Sequence, residues 1–223
     1  MTTEPAESTE PYGPTPRTKP TRAPERARYD RPTVHAILDS ASLCHLGYVR
    51  EGAPVVLPTL FARRGETLYV HGSTGSRPLR DARQDPGIAV CLTVTHVDGL
   101  VLARSAFHHS INYRSVVVQG IARQVTDEAE KRTALDAIVD QVVAGRAADS
   151  RPANAKELAA TAVLRVDLAE VSAKLRTGGP NDEPEDLALP YWSGVVPVRR
   201  AYGTPEPAAD LDPSVPLPEY LSD

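Results

Sequence analysis

The pattern that most constrains this chain is a succession of short β-branched runs separated by turn residues. Gly52, Gly65 and Gly99 each follow a polar residue between consecutive runs, which is typical of hairpin connections. Strands of this kind predict a fold that closes into an antiparallel barrel, because closure removes exposed strand edges. The predicted strands span residues 43–49, 55–62, 67–71, 88–95, 100–105, 115–125, 161–166 and 171–176.

Helices are predicted to flank these strands. Asp30 can cap a short helix, and residues 76–84 are predicted to form a second one. Asp127 and Glu130 have the spacing of a capping box at the start of a third helix. Apolar residues with helical period mark the buried faces of the first and third helices: Val34, Ile37, Leu38, Leu135, Ile138, Val139, Val142 and Val143. The expected class is therefore mainly β (α+β).

Composition sets the limits of the folded unit. A chain of 223 residues with 41% hydrophobic residues fits one core. Residues 1–28 are rich in Pro, Thr, Glu and Arg and are predicted to be a disordered tail. Residues 199–223 are Pro-rich and acidic, which predicts a second tail or an arm that wraps a partner. The folded domain is predicted to span residues 29–198.

Charge and apolar patterning exclude several classes of function. The net charge of -4 and the pI of about 5.9 lack the basic excess of nucleic-acid-binding proteins. No apolar stretch approaches the roughly 20 residues that span a bilayer, so no membrane association is expected. Cys44 and Cys91 each lie in an apolar run and are expected to be buried thiols in a reducing cytoplasm.

The most informative polar segment is Tyr-Val-His-Gly-Ser-Thr-Gly-Ser-Arg at residues 69–77, between a predicted strand and a predicted helix. Backbone N–H groups at a helix start and the guanidinium of Arg77 favour a phosphate. The alternative is an ordinary polar turn in which Ser73 or Ser76 caps the helix. From the pattern alone, both interpretations stay open.

Three other features of the sequence bear on possible sites. His108 and His109 have no Cys, Asp or Glu at ligand spacing beside them, so no metal site is predicted. Pro58 stands in an apolar run, where it cannot donate to a sheet, so an edge or interruption is expected there. No Gly-x-Ser-x-Gly elbow accompanies the serines, which argues against a hydrolase.

Taken together, these segments resemble the flavin-nucleotide-binding branch of the pyridoxamine 5'-phosphate oxidase-like proteins, similar to the nitroimidazole-resistance proteins. The resemblance covers about residues 29–198. It is carried by the order of five segments: Leu-Cys-His-Leu-Gly-Tyr at 43–48, Val-Val-Leu-Pro-Thr-Leu at 55–60, the 69–77 segment, Asn-Tyr-Arg-Ser-Val at 112–116 and Thr-Asp-Glu-Ala-Glu-Lys at 126–131.

The resemblance implies a six-stranded antiparallel split β-barrel that forms a homodimer and binds FMN across the interface. It assigns backbone contacts with the isoalloxazine ring to Leu57, Pro58, Thr59 and Leu60, and the phosphate to Ser76 and Arg77. His71 and Ser73 would line the ring and ribityl chain. The partner subunit would reach the same flavin through Tyr113, Arg114 and Ser115, and Trp192 is expected to pack over the dimer groove.

The function that this resemblance implies is an FMN-dependent oxidoreductase acting on a small molecule, with His71 as the candidate catalytic residue that tunes the ring or donates a proton. Pro58-Thr59 and Pro78 depart from the pattern of pyridoxamine-phosphate oxidases, which argues against vitamin B6 oxidation. Two alternatives remain: a flavin-binding or sensing module without turnover, and a haem protein with His71, His108 or His109 as axial ligand.

Overall fold

Nine strands and four α-helices make up residues 10–222, the part of the chain that the computed structural model describes. The strands are β1 Ala27–Arg28, β2 Leu43–Arg50, β3 Ala53–Arg64, β4 Thr67–Ser73, β5 Ile88–Leu102, β6 Ser110–Gln124, β7 Thr161–Asp167, β8 Glu170–Arg176 and β9 Gly194–Pro197. The helices are α1 Arg31–Asp39, α2 Arg77–Asp81, α3 Glu128–Val142 and α4 Ala155–Ala160. None of the helices in residues 10–222 is both long and apolar enough to cross a bilayer.

Six of the strands close into an antiparallel barrel. Their order is β6-β7-β4-β3-β2-β5, and β5 pairs back onto β6 to complete the circle. Strand β8 extends the sheet from β6 and carries β1 on its far edge, while β9 lies on β5. The predicted six-stranded antiparallel barrel with flanking helices is therefore confirmed.

Strand β5 corrects one sequence-based prediction. Residues 88–95 and 100–105 were predicted to be separate strands around a turn at Asp98-Gly99, but they form one strand, Ile88–Leu102. The polar pair instead marks a bulge, where the register to β6 shifts between Val97 and Gly99. A Cβ on Gly99 would lie 3.0 Å from Val195 of β9, so glycine lets the extra strand approach.

Helix α1 closes one end of the barrel. The Asp30 side chain accepts a hydrogen bond from the Thr33 backbone N–H, as predicted for its N-cap. Val34, Ile37 and Leu38 are buried and pack with Phe61 in the main core. The predicted apolar face of this helix is therefore confirmed.

Helix α3 lies across the outside of the barrel and is fixed near both ends. Asp127 caps it by accepting from the Glu130 N–H, and Glu130 in turn accepts a 2.9 Å bond from the Tyr69 hydroxyl. Burial and this hydrogen bond raise the pKa of Tyr69 to about 12. Toward the other end, Gln141 Nε2 lies 2.7–3.1 Å from three carbonyl oxygens at the end of α1.

The N-terminal segment differs from the predicted disordered tail over residues 1–28. Residues 1–9 lie outside the described part of the chain, whereas residues 10–28 pack against the barrel. Tyr12 is only 4% exposed, and its hydroxyl lies 3.0 Å from His35 Nε2 and 2.7 Å from Glu66 Oε2. Arg31 lies over its ring and pairs with Glu66. Composition does not predict this packing, because it depends on a few individual side chains in a segment that is otherwise polar and rich in proline.

The two cysteines have different surroundings, which corrects the expectation that both are buried. Cys44 points into the barrel, and burial raises the pKa of its thiol to about 12. Cys91 is exposed on the outer face of β5. Its apolar neighbours in sequence belong to a strand whose side chains alternate between the core and this outer face.

Candidate functional site

The barrel is split between β3 and β4. These strands pair only from Phe61 to Arg64 and from Thr67 to Val70. Beyond that point β3 pairs with β2 alone, and residues 71–73 of β4 pair with β7 alone. Two free main-chain edges therefore face a cleft where the strands diverge.

Residues 57–60 form the β3 side of this cleft. Leu57 and Thr59 lie opposite the buried residues Leu46 and Cys44, whereas Pro58 and Leu60 occupy the outer face. The free edge explains how a proline fits within the strand, as the sequence predicts. Its backbone groups can take up a planar ligand with polar edges.

His71 lies on the β4 side of the cleft. Like Tyr69, it faces the layer between the barrel and α3, and with Leu60 it lines a cavity of about 460 Å³. Its Nδ1 atom is buried without a hydrogen-bond partner in residues 10–222. Burial lowers the pKa of the imidazole, so the ring is neutral at neutral pH and able to act as a ligand or proton acceptor.

The loop after β4 holds Ser73, Ser76 and Arg77. Its backbone donors are used within the protein: Thr74 N–H bonds to Ala160 O, Gly75 N–H to Ser73 Oγ and Ser76 N–H to Ser73 O. Helix α2 is a single turn, shorter than the predicted 76–84. Recognition of an anion at this loop therefore falls mainly to side chains.

Arg77 already has an acidic neighbour. Its guanidinium is half exposed and lies 2.8 Å from Glu51 at the turn between β2 and β3. The Ser76 side chain makes no capping hydrogen bond. A hydroxyl and a guanidinium thus stand at the end of the cleft.

Tyr113, Arg114 and Ser115 lie on β6 and are not paired with the cleft strands. Arg114 instead forms two hydrogen bonds of 2.9 and 3.0 Å with Asp98 on β5. These bonds raise the pKa of Arg114 and lower that of Asp98. The Ser115 hydroxyl donates to Lys174 O.

Trp192 lies near the same end of β5 and β6. It is 66% exposed, and the following Ser193 bonds to Leu102 O at the end of β5.

His108 lies 3.5 Å from Glu183, and His109 Nδ1 lies 3.0 Å from Ser105 O. Neither histidine lines the cavity at His71.

The structure thus gathers the predicted site residues into two groups. The cleft group holds Leu57, Pro58, Thr59, Leu60, His71, Ser73, Ser76 and Arg77, and the far group holds Tyr113, Arg114, Ser115 and Trp192. The part of α3 that borders the cleft was not predicted from the sequence as belonging to the site. The sequence feature that could have identified it is the apolar stripe of α3, because this stripe extends past the residues that pack against the barrel.

A broad apolar surface continues from the cleft onto the outer face of the barrel. Leu43, Val56 and Leu60 expose 48%, 62% and 38% of their area there. His45 and Cys91 lie on the same face of neighbouring strands. An exposed apolar patch of this kind is typical of an interface.

Comparisons with known proteins agree on one family. A family model described as pyridoxamine 5'-phosphate oxidase matches residues 30–175. The flavocytochrome Anf3 from Azotobacter vinelandii is 44% identical, with a TM-score of 0.87 over 95% of this chain and 97% of that one. The FAD and heme binding protein from Mycobacterium smegmatis is 40% identical, with a TM-score of 0.82 over 87% and 95% of the two chains.

A more distant structure supports the fold alone. It is a protein from Bacteroides thetaiotaomicron assigned to 5-nitroimidazole antibiotic resistance, 23% identical, with a TM-score of 0.55 over 66% of this chain and 85% of that one. A search of curated proteins finds no significant match. The family model covers well over half of the chain, and two relatives match nearly all of it. The chain belongs to the pyridoxamine 5'-phosphate oxidase family.

Proposed function

We propose that the protein is a redox protein of the flavocytochrome type that binds one flavin and one haem per subunit and acts as a homodimer. The observation that carries the proposal is the split between β3 and β4. It leaves main-chain edges, a neutral imidazole and a guanidinium around one cleft. The names of the two relatives of 44% and 40% identity supply the pair of cofactors.

We infer that the flavin binds in this cleft through the residues that the family resemblance implies. The free edge of residues 57–60 offers backbone N–H and C=O groups to the polar edge of an isoalloxazine ring. Ser73 lies further along β4 and would contact the ribityl chain, and Ser76 with Arg77 would hold the phosphate. These contacts concern the part that FMN and FAD share.

Between these two flavins, the relative of 40% identity favours FAD, because its name gives FAD and haem as the bound groups. The alternative is FMN, the flavin that the resemblance found in the sequence implies. Mass spectrometry of the released flavin distinguishes them. Pro58 and Pro78 again argue against vitamin B6 as the substrate.

A second copy of this chain is the proposed occupant of the outer apolar face. The face continues directly into the cleft, so a partner seated there would also cover the flavin. It would bring its own far group, with Tyr113, Arg114, Ser115 and Trp192, toward the flavin of the first subunit. Dimers with closed symmetry are the commonest assembly.

When bound, the flavin supplies hydride and single-electron chemistry and the haem supplies one-electron chemistry, which together suit an oxidoreductase that passes electrons to a small acceptor. The protein holds and orients both groups and restricts access of water. We place this activity in the cytoplasm, because both cysteines are free thiols.

The test begins with the purified full-length protein. We expect a haem Soret band together with flavin absorption, equimolar release of both cofactors, and bleaching on reduction followed by reoxidation with an acceptor. Flavin without haem, before or after addition of hemin, would contradict the flavocytochrome proposal. Reduction without any turnover would instead favour the non-catalytic flavin module.

A further inference from the structure

The cavity of about 460 Å³ at His71 continues along an apolar groove under α3. Leu60 and His71 form one wall, and Leu135, Val139 and Val142 form the other. Val139 and Val142 remain 38% and 42% exposed, although they lie on the apolar stripe of the helix. Walls of this size and character are typical of a site for a small apolar ligand or cofactor.

The groove is held open by contacts at both of its ends. Near the start of α3, Glu130 accepts from Tyr69 and pairs with Arg165 at 3.0 Å. Toward its end, Gln141 donates to carbonyls at and just beyond the end of α1. These bonds fix the distance of the helix from the barrel, so the groove is preformed.

The C-terminal segment, residues 199–222, adjoins the same groove. A cavity of about 690 Å³ is shared by Val142 and Val143 of the α3 end and by Tyr202, Leu217 and Tyr220 of this segment. The Tyr220 hydroxyl donates to Asp149 at 2.6 Å and lies 3.2 Å from Arg146. This segment falls outside the family match, which ends at residue 175.

The side chains around the groove select its occupant. Its walls are apolar except for one imidazole, the Thr161 hydroxyl and the Arg146 guanidinium. An adenine ring needs several hydrogen-bond partners along its edge, which these walls do not offer. A flat apolar macrocycle with a metal at its centre and carboxylates at its rim matches a groove with an imidazole in one wall and an arginine among its lining residues.

We propose that the haem binds in this groove, with His71 as the axial ligand of the iron, Arg146 as the partner of a propionate and the C-terminal segment as the cover. The inference rests on the proposed function, because it assigns a place to one of the two cofactors. It also assigns a role to residues 199–222, beyond the barrel common to the family.

The first experiment titrates hemin into full-length wild type, His71→Ala and the matched control His109→Ala, with absorbance as the readout. We expect His71→Ala to lose the wild-type Soret spectrum and to bind hemin at least about tenfold more weakly. Added imidazole should restore the wild-type spectrum. His109→Ala should behave as wild type.

The second experiment tests the cover. Leu217→Glu places a charge in the cavity wall, whereas Leu189→Glu places one at a comparably exposed site outside it. We expect faster haem loss to apomyoglobin from Leu217→Glu alone, because a charge in an apolar cavity is costly. Equal rates for both variants would overturn the role of the segment as cover.

The outcomes separate the inference from the proposed function. Haem bound by wild type and equally by His71→Ala, with an unchanged spectrum, would overturn the assignment and leave the flavocytochrome proposal standing. No haem in wild type, even with added hemin, would overturn both. If His71→Ala loses flavin as well, recovery of the spectrum with imidazole supports the ligand role, and no recovery overturns it.

Discussion

Arg77 is the residue on which binding of a phosphate depends most. The backbone donors of residues 74–76 are engaged within the protein, so the charge of Arg77 is the principal attraction that the loop offers to an anion. Its present partner, Glu51, is exposed, and an exposed pair contributes little stability. A phosphate can therefore replace Glu51 at low cost.

We predict that Arg77→Ala weakens binding of the phosphate-bearing flavin about tenfold to a hundredfold, because a charge-assisted hydrogen bond contributes about 1.5–3 kcal/mol. Arg77→Lys should be intermediate. Flavin fluorescence titration of the apoprotein measures the effect. Riboflavin, which lacks the phosphate, should respond little to either change, and equal losses for both flavins would assign Arg77 to structure.

Glu51→Gln provides the converse test. Removing the acidic competitor should leave Arg77 free and strengthen binding of the phosphate-bearing flavin several-fold, with no change for riboflavin. The same titration at two salt concentrations checks the electrostatic origin, since screening should reduce the gain. Weaker binding by this variant would mean that Glu51 positions Arg77 rather than competing for it.

For individual residues, the sequence could indicate which ones belong near a site, but not which hydrogen-bond or ion-pair partners each one has. The Arg114 pairing with Asp98 joins residues on two strands and has no local signal. The same holds for the buried Nδ1 of His71, because its surroundings come from α3 and β7 as well as β4. The charged and hydroxyl-bearing side chains could be read from the sequence, but the partners of these side chains depend on the tertiary fold.

Among the elements, the N-terminal segment departs most from what its composition predicts, because it makes specific contacts with the folded domain. Tyr12 joins it to α1 through His35 and to the β3–β4 connection through Glu66. Burial opposes ionisation of Glu66, but hydrogen bonds from Tyr12 and Arg31 outweigh it and lower the pKa of that carboxyl. The segment is therefore packed against the barrel, where it contacts α1 and the β3–β4 connection.

We predict that Tyr12→Ala costs about 3–5 kcal/mol, as for other buried aromatic residues. Urea unfolding followed by circular dichroism measures this loss of stability. A Tyr12→Ala variant as stable as wild type would show that the segment does not contribute to the fold in solution.

Tyr12→Phe isolates the hydroxyl and should cost about 1–3 kcal/mol at neutral pH. Because the pKa of Glu66 is lowered in the folded protein, its contribution is present above the unfolded-state value of 4.5 and is lost as the pH falls through the folded-state value. The difference from wild type should therefore shrink in acid. A difference that grows in acid would contradict this role of Glu66.

Strand and helix positions were largely predictable, since β2, β3, β4, β7 and β8 occur within a few residues of the predicted ranges. The failures have tertiary causes. Asp98-Gly99 has the sequence of a turn, but pairing with β6 and β9 keeps the strand continuous through it. The short helix α4, with its Asn154–Glu157 capping box, was missed because it offers only one buried apolar residue, Leu158.

For the molecule as a whole, the outer apolar face predicts a homodimer. We expect light scattering to give twice the chain mass of 24.0 kDa. Val56→Glu, on this face, should shift the protein toward monomer and reduce its flavin content, because it places a charge in the interface. Thr133→Glu, on the exposed side of α3, is the matched control. A monomeric wild type with stoichiometric flavin would contradict the shared site.

The pairing of β1 with β8 also governs the order in which the chain can fold. Ala27 lies opposite Lys174, so the partner strand of β1 is synthesised about 150 residues later. On the ribosome, β1 has no partner strand while the hairpins of the barrel form from near neighbours in sequence. The docking of β1 is thus among the last folding events, and a nascent chain should remain open to proteolysis at β1 until β8 has emerged.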